Sequence, residues 1–188
     1  MLRRSALMQV AVVLLSLSPA LVAQRGRVAR DPMTDKEIEE MREYRDQPEK
    51  RMRAMIRMIA ARGIMLDQIR SDPKSVKPEE RGPRIHDLLE DITNLTDEFD
   101  DNVDKFMKEQ ADIRKPLGEA IGMETQLQQK LRAVHDEFAN KPELQDFQFQ
   151  LQDAQESITQ SLQSSREAIQ EDEQIIKAAK EAAKKQQR

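Results

Sequence analysis

The chain has no cysteine, no tryptophan and a single tyrosine, with five phenylalanines, five glycines and eight prolines in 188 residues. Without cysteine there is no disulfide, no thiolate nucleophile, no Cys-ligated zinc and no lipidated N-terminal cysteine. With aromatics at 3%, the large rings that fill an ordinary globular core are scarce. So few glycines and prolines leave little material for sheets and tight turns. No glycine-rich loop is present to cradle a phosphate. The two histidines, His86 and His135, lie far apart on one helical pattern, and neither has a serine–acid grouping around it. The chain also lacks a basic excess: its net charge is -4, which argues against a nucleic-acid partner. No catalytic residue, cofactor or metal is therefore expected, and the reading is of a non-enzyme.

What is abundant is charge, at 35%, alongside 38% hydrophobic residues. Glu, Gln, Lys, Arg, Leu and Ile dominate, which is the composition of long helices. The first 23 residues, MLRRSALMQVAVVLLSLSPALVA, place Arg3 and Arg4 before an apolar stretch from Val10 to Leu17, then Pro19 and a small Ala23. That is the pattern of a secretory signal peptide, and the stretch is short for a membrane span of roughly 20 residues. The expected setting is periplasmic or secreted; the alternative is anchoring by an uncleaved signal. Residues 24–33 read as a disordered basic leader, and 34–188 as one helical domain.

Thr34-Asp35-Lys36-Glu37 is a capping box that opens a first helix, with an apolar stripe through Ile38, Met41, Met52, Met55, Ile59, Leu66 and Ile69. Pro48 either kinks that helix or begins a new one. Ser71-Asp72-Pro73 stops it. From Pro83, a stripe of Ile85, Ile92, Phe99, Phe106, Ile113, Ala120, Leu127 and Val134 repeats every seven residues and predicts one long helix kinked near Pro116. Pro142 opens the last helix, which carries Leu144, Phe147, Leu151, Ala154, Ile158 and Leu162 and ends in a lysine-rich turn. The predicted fold class is all-α: an elongated antiparallel bundle with a three-helix body and a two-helix coiled-coil arm spanning about 118–162. Pro116, Gly118 and Gly122 are the candidate hinge between the two.

Asp97, Glu98, Asp100, Asp101 and Asp104 make a dense acidic run, read as a solvated helix face rather than a cation site. Asn94-Leu95-Thr96 matches a glycosylation sequon, but Leu95 falls on the core stripe. Met58 and Met65 fall off the first stripe and read as soft surface. The candidate partner-binding residues gather at the arm tip: Phe149, Leu144, Phe138 and Phe147. Phe138 and Phe147 lie near the packing stripe and staple the turn, whereas Phe149 points away from the seam.

The segments His86-Asp87-Leu88-Leu89, Asp100-Asp101-Asn102-Val103-Asp104 and Asp112-Ile113-Arg114-Lys115-Pro116-Leu117 resemble uncharacterised exported helical proteins of acidobacteria, over roughly residues 34–117. That resemblance implies an envelope or secreted setting. The plan is similar in shape to periplasmic holdase chaperones with coiled-coil arms, without their β-strand oligomerisation core or Leu-Thr-x-x-Gln repeats. The expected function is a protein-interaction or scaffold component of the cell envelope. The alternatives are a holdase for unfolded clients, or association with an anionic surface through the basic end of the last helix. Self-association through the helices is a further partner mode.

Overall fold

The protein is described here by a computed structural model that covers residues 30–72 and 74–186, with side chains described as far as Ile175 and at Lys177 and Ala178. The expected signal peptide and most of the expected leader lie outside the described residues. Five α-helices follow: α1 (Asp35–Glu43), α2 (Pro48–Ser71), α3 (Pro78–Lys108), α4 (Arg114–Phe138) and α5 (Gln148–Gln186), with a 3-10 segment at Pro142–Asp146. Among the described residues there is no strand.

The helix starts follow local chemistry. The Thr34 hydroxyl accepts from the Glu37 amide at 3.3 Å, while Glu37 accepts from the Thr34 amide at 2.8 Å, which completes the capping box. At Pro48 the second of the two readings holds: α1 ends, and Pro48 takes the first turn of α2, where its missing N–H costs nothing. Helix α3 begins at Pro78, earlier than the expected Pro83, with Glu79 and Glu80 beside its positive dipole end. Pro142 opens a 3-10 turn rather than the last helix, and α5 starts only at Gln148.

The expectation of one long helix through Pro116 is corrected. α3 ends at Lys108, Glu109 is its C-cap, and Gln110 takes the left-handed conformation with φ 56°. The Gln110 amide donates to the Met107 carbonyl and the Ala111 amide to the Phe106 carbonyl, both at 3.0 Å. Those two bonds form a Schellman motif, which ends a helix decisively. The chain then turns, and Ile113 enters the core at the foot of α4.

Helices α2 to α5 pack as a bundle in place of a body with a projecting arm. α2 borders α3 and α4, and α5 borders the same two, so α3 and α4 lie across from each other. α2 and α3 run antiparallel in the predicted register, as Arg51–Asn102 and Arg62–Asp91 show. α4 lies parallel to α2: Arg53 binds Glu119 near one end and Arg70 approaches Glu137 near the other. The supposed arm is thus pinned along its length to the body. α5 runs antiparallel to α4 and parallel to α3, with Gln128 donating to Thr159 and Ser157 to Asp97. Its register on α4 is about one turn off the expectation, because the 3-10 segment lengthens the connection.

The core is one cluster through all four helices, and Phe99 and Phe106 are buried as expected. Met58 is buried too, contrary to expectation: α2 has two packed neighbours, so a second face turns inward. Met65 stays exposed, and the buried Leu95 and Thr96 remove the sequon from reach.

Candidate functional site

Three places in the fold carry polar or exposed chemistry that packing alone does not require. The first is inside the bundle. Glu124 of α4 is only 1% exposed, and Ser161 and Ser165 of α5 and Thr96 of α3 are fully enclosed. The Ser161 hydroxyl stands 2.6 Å from Asp100 Oδ1 of α3 and 2.7 Å from Glu124 Oε1. Glu124 Oε2, Ser165 Oγ and Thr96 Oγ1 have no hydrogen-bond partner. Burial raises the Glu124 carboxyl to about 7, against the pull of Ser161. Burial likewise raises Asp100 to about 6; Ser161 opposes this, and Asp97, Asp104 and Asp101 add to it. Both shifts follow from charge being disfavoured in a dry interior.

The second place is under α1. Arg62 is 5% exposed. It donates to Glu37 at 2.6 and 2.8 Å, to the Pro32 carbonyl at 2.5 Å and to Asp91 at 3.4 Å. The hydrogen bond from Arg62 holds the Glu37 carboxyl down to about 2. Pro32, assigned by sequence to the leader, is therefore fastened to the bundle. Beside this clasp lies an open cleft of about 490 Å³ lined by Met33, Met41, Arg51, Glu98 and Lys105 among others.

The third is the end where α4 meets α5. Phe138 and Phe147 pack edge to face, with ring centres 5.3 Å apart, and both are fully buried. Arg81 and Lys141 stack on Phe138. Leu144 is half-buried against the core. Phe149, by contrast, is 73% exposed. Of the four residues singled out at this end, two are interior staples, and Phe149 is the ring that solvent reaches.

The candidate hinge residues fall elsewhere than expected. Pro116 sits in the first turn of α4, and Gly118 and Gly122 lie on continuous helix with nothing within 4 Å of where a Cβ would be. They mark neither the turn, which is upstream at 109–113, nor a close helix crossing. In the acidic run, Asp97 and Asp100 accept from serines of α5, whereas Asp101 and Asp104 are exposed. His86 is half-buried beside Asp87 at 3.4 Å, and with Glu90 these residues bring one ligand atom each within 4.8 Å. A further open cleft, of about 460 Å³, lies between the α3–α4 turn and α5; Ile175, on its rim, is 58% exposed. The linings of these two clefts hold no serine, threonine or histidine. No described helix is long and apolar enough to cross a membrane.

Sequence reasoning missed the interior carboxyl. Glu124 lies four residues after Ala120 and three before Leu127, on the buried stripe of α4, and Ser161 and Ser165 fall between Ile158, Leu162 and Ala168 on that of α5. A polar residue on an apolar stripe was the available signal. The fold defines a helical-bundle protein. No family model, no curated protein and no solved structure matches this chain.

Proposed function

We propose that this is an exported, non-enzymatic protein of the cell envelope that works by binding another protein at the α4–α5 end of the bundle. Phe149 carries the reading. Its ring is 73% exposed while its neighbours Phe138 and Phe147 satisfy the core completely, so folding has no need of it. Rigid aromatic side chains of this kind anchor many protein interfaces. Polar Gln148, Gln150 and Gln152 flank it, as a rim flanks an anchor.

The test pairs two measurements on the full chain. Phe149→Ala should leave the denaturation midpoint nearly unchanged and reduce capture of envelope proteins relative to wild type. Equal capture by both would remove this end from consideration, and a large loss of stability would make Phe149 a core residue. A holdase differs from a dedicated scaffold in one respect: it suppresses aggregation of an unfolded client at stoichiometric amounts.

A further inference from the structure

A serine hydroxyl owns a single proton and can donate one hydrogen bond. Ser161 Oγ nevertheless makes two short contacts to carboxyl oxygens, 2.6 Å to Asp100 and 2.7 Å to Glu124. One is donated by the serine. The other closes only if the carboxyl supplies the proton. The triad therefore counts two protons, one on the hydroxyl and one on an acid. We propose that Asp100, Ser161 and Glu124 form a one-proton latch, which ties α3, α4 and α5 together while the acid proton is bound and releases that seam when the proton passes to solvent. The inference stands apart from the identity of any partner.

The surroundings favour retention of that proton. From α3, Asp97, Asp101 and Asp104 all add negative potential at Asp100. From α5, Arg166 favours ionised Glu124, but it is exposed and its effect is the last of those acting there. On α4, Glu119 is neutralised by Arg53. α2 spans this level between Arg53, beside Glu119, and Gly63, whose Cβ position would meet Leu127. It brings buried Met55, Met58 and Ile59, and its arginines are engaged elsewhere: Arg51 with Asn102, Arg57 with Glu40, Arg62 with Glu37. No cation of α2 is directed at the pair. Without the acid proton, two carboxylates share one hydroxyl in a low-dielectric interior, and Glu124 Oε2 is already without a partner.

Both acids hold protons more tightly in the folded protein than in the unfolded chain. The stabilisation is fully present below the unfolded-chain value, 4.5 for Glu124, and is lost as pH rises through about 7. The two groups titrate as a pair, so the loss is spread over that window.

The experiment is urea unfolding of the full chain at several pH values between about 5 and 8. Wild type is compared with Glu124→Gln, whose amide can donate to Ser161 at every pH, and with Glu119→Gln as a surface control. The wild-type unfolding constant should rise by about a hundredfold across this range, and the control should follow it. For Glu124→Gln the rise should be under about tenfold. A flat wild-type profile, or a full rise in Glu124→Gln, overturns the latch. Should Glu124→Gln fail to fold, carboxyl carbon shifts of the wild type decide. A midpoint above about 6 for either acid supports the latch, and ionisation of both by about pH 5 refutes it.

Discussion

At the scale of single residues, the bundle contains two ionic devices of opposite sign. Arg62 holds Glu37 ionised, whereas the interior holds Glu124 neutral. The Glu37 value is lowered from 4.5 to about 2, so its contribution is present above the unfolded-chain value and lost as pH falls through about 2. Glu37→Gln should therefore cost about 2 kcal/mol near neutral pH, allowing for partial solvent screening, and little at pH 2. Urea midpoints at the two pH values check this; equal losses at both would show that charge is not what Glu37 contributes. Removing the arginine is harsher. Arg62→Ala strands Asp91 and should cost about 3–5 kcal/mol. Phe106→Ala belongs to a different mechanism: it empties a packed site and should cost about 3–5 kcal/mol without pH dependence.

Among the elements, the turn after α3 explains most of what the sequence concealed. Gln110 occupies the position that glycine favours at a helix end, and the seven-residue stripe runs through it, since Ile113 is buried on either reading. The stripe reports which residues face the core and is silent on whether the chain reverses between them. Gln110→Gly should raise stability by about 1 kcal/mol, since glycine adopts positive φ without a Cβ clash. Gly118→Ala and Gly122→Ala point into open space and should each add about 0.5–1 kcal/mol of helix propensity. Gly82→Ala should do the reverse, because a Cβ there would overlap the side chain of Asp146 in the 3-10 segment. Chemical denaturation of the four variants separates these cases, and a stabilised Gly82→Ala would show that the segment yields easily. The capping box, the α2–α3 register and the burial of Phe99 were legible because each is encoded within a few residues or one short loop. The parallel contacts of α4 on α2 were not, since no local signal distinguishes a helix that extends an arm from one that folds back. The interior acid was visible only as an irregularity in a stripe.

At the scale of the whole molecule, α5 outlasts its partners. Arg114 reaches Asp172 at 3.1 Å, and beyond it the described residues Glu173, Gln174, Ile175, Lys177 and Ala178 are exposed. Truncation before Lys177 should leave the unfolding midpoint within about 0.5 kcal/mol of wild type, as expected for surface positions. A larger loss would mean that the lysine-rich end supports the fold. Whether that end touches an anionic surface is read separately, by sedimentation with anionic vesicles at low salt before and after the same truncation.

The arrangement of α3 across from α4 has a consequence in time. The α2–α3 hairpin can pair as soon as both helices exist, since its partners are close in the chain. The polar layer cannot. Ser161 is 61 residues from Asp100 and 37 from Glu124, so until α5 arrives, both acids stand in water with no reason to keep a proton. Closing the bundle must then draw a proton out of solvent as its last helix docks. Long-range closure of this kind is intrinsically slow, and here it waits on an ion whose supply falls tenfold with each pH unit. Refolding followed by stopped flow should show a late phase that slows as pH rises from about 6 to 8, and that phase should lose its pH dependence in Glu124→Gln.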